Sequence, residues 1–431
     1  MLNRRQFVSA SGLLLPALAS PAALAQSASQ SAPQSAPLPA PFLQLPDRGS
    51  EAQPITLTER EQRYERAQQL MRSNNLDAIV LAGGSSLVYF TGMHWWNSER
   101  LFVCVLPRAG APFYVAPAFE EERARALMQN APGGKFSRVY TWQENENPYA
   151  LIPRGLAEIN IRTGRLGIEE RVPFVFSDGL QSAAPGFTLA SATPVTAGCR
   201  AVKSAAELAL MQLANNVTLS VYRAAWQSIT PGITNRQVTA WIAAAYQRSG
   251  FPGEASCQVD TWTALPHGAP QPQTIHENSI VMLDDGCIVQ GYQSDITRTF
   301  VIGKATDAMK HVFDIVHRAQ SAALAAARPG VACGSVDAAA RKVIVDAGFG
   351  PGYTYFTHRV GHGIGLDMHE WPYLVQDNPL PLVANMTFSD EPGVYQRGAF
   401  GVRLEDDMHI TPDGARLFTP QSPSIEQPFA V

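Results

Sequence analysis

Apolar and polar positions follow two regimes along the chain. From about residue 56 to 196, short apolar runs alternate with charged, helix-like stretches. Ala78-Ile-Val-Leu81, Leu101–Leu106, Pro112–Val115 and Arg165–Ile168 read as strands, and Glu120–Met128 reads as a helix between them. Thr58-Glu-Arg-Glu61 has the spacing of a capping box and predicts the start of a charged helix. This alternation predicts a small α/β domain. Trp95-Trp96-Asn-Ser-Glu-Arg100 falls in a loop of it, because adjacent tryptophans in regular structure cannot both face one core.

The second regime spans about 203–420. Ser204-Ala-Ala-Glu207 is a capping box that opens a long helix running toward Thr230. Beyond it the pattern repeats. Pro231-Gly232, Val238 and Gly250-Phe251 recur 98 residues later as Pro329-Gly330, Val336 and Gly348-Phe349. Each copy reads as a Pro-Gly turn, a helix and a Gly stop, with Thr234-Asn-Arg-Gln237 capping the first helix. The repeat predicts a duplicated helix-plus-strand unit with a site between its halves. Residues 421–431 form a C-terminal tail.

Composition narrows the partners. The 431 residues carry a formal charge of −4, which leaves no basic footprint for nucleic acid. No apolar run reaches the roughly 18–20 residues that span a bilayer. Asn3-Arg-Arg-Gln-Phe7, an apolar Leu13–Ala23 segment and Ala23-Leu-Ala25 resemble a twin-arginine export signal over residues 1–25. That resemblance implies a periplasmic or exported protein with no stable membrane insertion after processing; the alternative is an uncleaved anchor. Residues 26–55, rich in Ser, Ala, Gln and Pro, read as a flexible linker. Five scattered cysteines form no CxxC pair and read as buried structural thiols.

The chemistry-bearing residues cluster in the second regime. Asp284, Asp295, His362, Glu391 and Glu405 each sit in a motif punctuated by Gly or Pro. If a hairpin closes about Val289-Gln290, Asp284 and Asp295 stand opposite each other, about 4.5–5.5 Å apart between Cβ atoms. Glu391 and Glu405 allow the same pairing about Gly398, and Arg403 shares a strand face with Glu405. Gly361, Gly363 and Gly365 around His362 let backbone approach a ligand closely. His267, His358 and His369 lie near the acidic motifs and suit oxyanion or carboxylate contacts. Four carboxylates offset two divalent cations, with a bridging hydroxide as the attacking anion. Oxygen-rich ligation with one imidazole favours Mn²⁺, with Co²⁺ or Zn²⁺ as alternatives.

In order and spacing these motifs resemble the pita-bread metallopeptidases, nearest their proline-specific branch of aminopeptidase P and prolidase. Residues 56–196 resemble that branch's creatinase-like N-terminal domain. The resemblance implies an α/β N-terminal domain and an α+β pita-bread catalytic domain with an internal pseudo-twofold repeat. It implies that Asp284 binds one metal, His362 and Glu391 the other, and that Asp295 and Glu405 bridge. Glu391 is then also the proton shuttle, His267, His358 and His369 the substrate-site imidazoles, and Arg403 a supporting arginine. It further implies a peptide substrate with proline at the second position, and a homodimer or homotetramer. In such a dimer Trp95, Trp96 and Arg100 enter a neighbouring subunit's site, or else pack at a dimer or domain interface. Asp285, Ser389 and Asp390 depart from the family pattern, and Asp285 and Asp390 add negative charge beside the site.

Two other readings compete. One is a metal-dependent lyase or hydrolase of a small non-peptide substrate, since one fold hosts several reactions. The other is a non-catalytic binding module, which the intact Glu391 and His369 disfavour.

Overall fold

The alternating apolar side chains of the first regime build a two-faced sheet. The structure is a computed structural model that describes residues 37–429. The export-signal reading lies outside these residues. Strands β1 (Ala78–Leu81), β2 (Val103–Pro107), β3 (Phe113–Pro117), β4 (Arg138–Trp142), β5 (Gly164–Ile168) and β6 (Phe187–Ser191) form one sheet in the order β4-β3-β2-β1-β5-β6. β1–β2 and β2–β3 pair antiparallel, and the other neighbours pair parallel. Ile79, Leu81, Cys104 and Tyr114 enter one core, whereas Ala78, Val80, Val103 and Phe113 enter another. That split is the two-residue period of a strand buried on both faces. The helix Leu57–Ser73 begins two residues before the expected start. Thr56 rather than Thr58 caps it, accepting the Glu59 amide, because Thr56-Leu-Thr-Glu59 has the same Thr-to-Glu spacing one frame earlier.

The chain from Pro39 to Ile55 is no free tether. Phe42 is fully buried, with its ring 6.2 Å from that of Trp241. Arg248 donates to the carbonyls of Leu43 and Leu45, and the Arg48 amide donates to Ser249. One aromatic anchor and three backbone bonds outweigh the polar composition that suggested flexibility.

The second domain is built twice from a long helix, a Pro-Gly turn and a second helix. The pairs are Ala205–Ser228 with Asn235–Arg248, and Asp307–Ala326 with Cys333–Asp346. Both helix C-termini of the first pair and the N-terminus of its second helix recur 98 residues later. Gly232 and Gly330 (φ 96° and 85°) and Gly250 and Gly348 (φ 91° and 92°) take matching left-handed conformations. Thr234 completes a capping box with Gln237, but its counterpart Ala332 has no side chain to cap with.

Strands from each half meet around the site. From the first half come β7 (Ser256–Val259), β8 (Ile280–Asp284), β9 (Ile288–Val289), β10 (Tyr292–Gln293) and β11 (Arg298–Val301). From the second come β12 (Gly361–Gly363), β13 (Glu370–Leu374), β14 (Thr387–Asp390), β15 (Gly393–Gln396), β16 (Phe400–Arg403), β17 (Asp406–Ile410) and β18 (Ala415–Leu417). β11-β8-β7 form one sheet, β13-β12-β14-β17-β18 another, and β9–β10 and β15–β16 are ribbons. The C-terminal tail packs back: Ile425 is 3% exposed and its carbonyl accepts the Val301 amide. All five cysteines are buried and free. No helix among the described residues is long and apolar enough to cross a membrane.

Candidate metal centre

Two antiparallel hairpins carry the four acids. In the second, Asp390 pairs with Asp406 and Gly393 with Arg403, so one register runs through both strand pairs. Glu391 and Glu405 fall opposite each other between them, as expected, with the turn at Gly398 (φ 81°). The first hairpin differs by two residues. Val289 pairs with Tyr292 and Leu283 with Arg298. The turn is Gln290-Gly291, both with positive φ (52° and 89°), the conformation that a two-residue hairpin favours. Continuing that register sets Asp284 opposite Thr297 rather than Asp295. A shift of two keeps every side chain on its face, so both aspartates still reach the site.

Thr297 explains how. Its hydroxyl lies 2.6 Å from Asp284 Oδ1 and 2.6 Å from Glu405 Oε2, and accepts from Arg403 Nε at 2.9 Å. Arg403 also pairs with Asp284 through Nη2 and donates to the Tyr395 hydroxyl and the Pro266 carbonyl. The Asp295 amide donates to Asp407, which Asn215 also holds. His362 donates from Nδ1 to the Gly363 carbonyl, leaving Nε2 3.3 Å from Glu391 and 3.7 Å from Asp295. Glycine is required beside it. A Cβ at Gly361 would lie 2.1 Å from the Ser389 carbonyl oxygen.

The ligand atoms of Asp284, Asp295 and Glu405 lie within 4.8 Å of one another, as do those of His362, Glu391 and Glu405. The two groups share Glu405. Asp295, His362 and His369 form a third group, so His369 stands within ligand reach as well as facing the cavity. Burial pushes Asp295 and Glu405 well above the carboxylate range; repulsion from Asp284 adds to it at Asp295, and repulsion from Asp295 adds to it at Glu405. Burial likewise pushes Glu391 up to about 7, with Arg403 opposing and Asp284 adding. Asp284 goes the other way: burial would raise it, but Arg403 and Thr297 hold it below its usual value. Among the described residues Arg403, through Asp284, is the one arginine that forms an ion pair with any of these four acids. Divalent cations fit this donor set, because they supply the missing positive charge.

Burial moves three of the site imidazoles toward their neutral form. Burial, then the charge of Arg403, drops His358 to about 3. It donates from Nδ1 to the Arg359 carbonyl and accepts from Tyr395 at Nε2, 2.7 Å away. Burial also lowers His362 and His369. His369 is positioned through its neighbours: Glu370 is clamped by Lys203 at 2.6 Å and by Arg200, and Asp367 by Arg200 at 2.6 Å.

These groups line one cavity of about 490 Å³, which also takes in His267, Tyr353, Arg359 and Met368. The structure thus brings together nine of the twelve candidate residues. Trp95, Trp96 and Arg100 are not among them. Trp95 stacks on Phe102 at 3.9 Å, Trp96 is 81% exposed, and Arg100 pairs with Glu144 and Glu99. Thr297, Tyr395 and Arg359 are functional-site residues that the motifs did not single out. Thr297 alone had a signal, since it stands two residues beyond Asp295 on the same face.

The sheet domain joined to a duplicated helical domain with a buried acid cluster defines a metal-dependent peptidase. Profiles of the Creatinase/Prolidase N-terminal domain and of Metallopeptidase family M24 match residues 63–202 and 209–412. The chain belongs to Metallopeptidase family M24. It is 37% identical over 343 residues to a probable dipeptidase, PepE, of Mycobacterium tuberculosis, covering 79% of this chain and 89% of that one. It is 30% identical to an Xaa-Pro dipeptidase of Lactobacillus delbrueckii subsp. lactis, over 84% of this chain and 98% of that one. Among solved structures, dipeptidase PepE of Mycobacterium ulcerans matches with a TM-score of 0.81 at 32% identity, over 87% and 99% of the two chains. A prolidase of Thermococcus sibiricus matches with a TM-score of 0.75 at 29% identity, over 84% and 96%.

Proposed function

We propose that this protein hydrolyses the bond between a first residue and a following proline, using two divalent cations, Mn²⁺ first and Co²⁺ or Zn²⁺ as alternatives. The observation that carries the reading is the shared position of Glu405 between two ligand groups, one with Asp284 and Asp295, the other with His362 and Glu391. The substrate class rests on the relatives named Xaa-Pro dipeptidase and prolidase. Bound cations supply the positive charge that polarises the scissile carbonyl and acidifies water.

The chain's own groups account for the rest. Glu391 takes the proton of the attacking water and delivers it to the departing proline nitrogen, a task that suits a carboxyl near neutrality. His267 and His369 are exposed to the cavity and donate to the developing oxyanion. The chain from His358 through Tyr395 to Arg403 holds Asp284 in place. An Xaa-Pro amide has no N–H, so recognition falls on its carbonyl and termini.

Protein loaded separately with Mn²⁺, Co²⁺ and Zn²⁺ is expected to cleave Ala-Pro faster than Ala-Ala. Inactivity on every Xaa-Pro peptide, with turnover of a non-peptide amide, would replace the reading with the lyase or hydrolase alternative.

The paired arginines Arg4 and Arg5 ahead of an apolar segment support export to the periplasm. Cell fractionation should find the protein in the periplasm, and Arg4→Lys with Arg5→Lys should retain it inside. Exposed Trp96 supports a homodimer or tetramer in which a second copy covers this loop, and light scattering of the pure protein checks it.

A further inference from the structure

The helix Leu57–Ser73 carries Arg60 and Arg63 three residues apart, as neighbours on its surface. Arg63 is buried and well partnered. Its Nη1 donates to the Tyr89 carbonyl, and its Nη2 to Glu59 at 2.8 Å and the Tyr292 hydroxyl at 3.1 Å, with Glu207 3.4 Å away. Arg60 has no such relief. Among the described residues its guanidinium forms no ion pair, and its Nε is buried without an acceptor. Glu59 turns Oε1 to Arg63 and the Ser204 hydroxyl instead. The Arg60 guanidinium fits against Gly92, where a Cβ would lie 2.6 Å from its Cζ. Burial, then the charge of Arg63, lowers its pKa from the usual guanidinium value. The Nε of Arg63 is also buried and unpartnered. Buried donors are nearly always satisfied. Here two of them belong to like charges that line one cavity of about 110 Å³, together with His94, Gln290 and Tyr292.

We propose that this cavity binds a small tetrahedral oxyanion, of the sulfate or inorganic phosphate kind, between the helix Leu57–Ser73 and the Gln290-Gly291 turn. Volume sets the upper bound, since pockets for larger organic ligands start at roughly 300 Å³. Charge selects an anion, because Arg60 lacks a counter-charge in contact. Geometry favours several oxygens over a single ion. A guanidinium fork takes two oxygens side by side, and the His94 ring and the Gln290 amide offer donors from other walls. Tyr292 is engaged already, with its hydroxyl donating to Glu207 at 2.7 Å.

The place of the site gives binding a consequence. Its lining shares no residue with the acid-lined cavity, so the proposal stands apart from the peptidase reading. Gln290 belongs to the turn of the hairpin that brings Asp284 and Asp295 toward the metal centre. An anion held by Arg60 and Gln290 ties that turn to the first domain, beside the existing link from Arg63 to Tyr292 and Glu207. Such a tie stabilises the folded protein, because the unfolded chain has no preformed site.

The test is calorimetric titration of sulfate into the Mn²⁺-loaded protein, with ionic strength held constant by chloride so that screening does not contribute. The wild type is expected to bind sulfate saturably. Arg60→Met should weaken that binding by about tenfold or more, and Arg60→Lys by less. Gln290→Ala, at an exposed turn that tolerates truncation, should weaken it by about threefold. Crystals soaked in selenate locate the anion by its anomalous scattering, and the expected peak lies against Arg60. Saturable binding that Arg60→Met and Gln290→Ala leave unchanged overturns the proposal, as does a selenate peak at the metal centre alone. A peak against Arg60 without saturable binding in solution means binding at crystal concentration only, and overturns it too.

Discussion

Glu391 and Glu405 stand in register across one antiparallel hairpin, between the pairs Asp390–Asp406 and Gly393–Arg403. Like charges directly opposite each other destabilise a strand pair, and both of these are buried. The arrangement is stable only if protons or cations sit between them. It turns a local cost into affinity for metal.

Glu391→Gln separates binding from chemistry. The amide keeps a ligand oxygen but cannot carry a proton. Turnover of Ala-Pro is expected to fall by about 10²–10⁴-fold, while metal content, measured by plasma mass spectrometry after gel filtration, stays near that of the wild type. A variant that retains activity removes Glu391 from the proton-transfer role.

Thr297→Val probes the hydroxyl that joins Asp284, Glu405 and Arg403. Valine keeps the shape and removes the bonds. Groups that orient metal ligands typically contribute 10–100-fold in affinity. Metal titration followed by calorimetry should show a loss of about that size for Thr297→Val, and unchanged affinity would assign the threonine to packing alone.

Removal of metal should make stability depend on pH with a definite sign. In the metal-free protein, burial lifts Glu391 from 4.5 to about 7 and Asp407 from 3.8 to about 8. A raised carboxyl means that the folded state holds its proton more tightly than the unfolded chain. That stability is complete below the unfolded value and is lost as pH rises through the folded one. The buried imidazoles of His358 and His362 act oppositely, but only below their unfolded value of 6.5. Chelator-treated protein should therefore lose Tm as pH rises from about 6.5 to about 8.5, and added Mn²⁺ should flatten the curve. A metal-free Tm that rises over this interval would contradict the burial of unneutralised acids.

Metal titration in buffers of different ionisation enthalpy offers a companion measurement. Binding near pH 7 should release protons from the raised carboxyls of Asp295, Glu391 and Glu405. Heat that does not vary with the buffer would mean that these groups are already ionised.

Local patterns determined much of this protein without help. The Ser204 and Thr234 capping boxes, the strand Ala78–Leu81 and the repeat at 98 residues are short-range consequences of backbone hydrogen bonding and glycine conformation. The identity of the five ligand candidates belongs here too, as does the pairing of Glu391 with Glu405, because a single turn about Gly398 sets it.

Tertiary structure decided what local pattern leaves open. The Gln290-Gly291 turn moved the first hairpin by two residues and placed Thr297 between two acids. Phe42 found a partner in Trp241, some 200 positions on, and ordered a segment whose composition suggested none. Arg359 came to lie over the Tyr373 ring, whereas Arg403 was drawn to Asp284. Residue type determines what a side chain is able to donate, accept or ligate. Which of those capacities remains free depends on long-range packing, because that packing determines which partners arrive first.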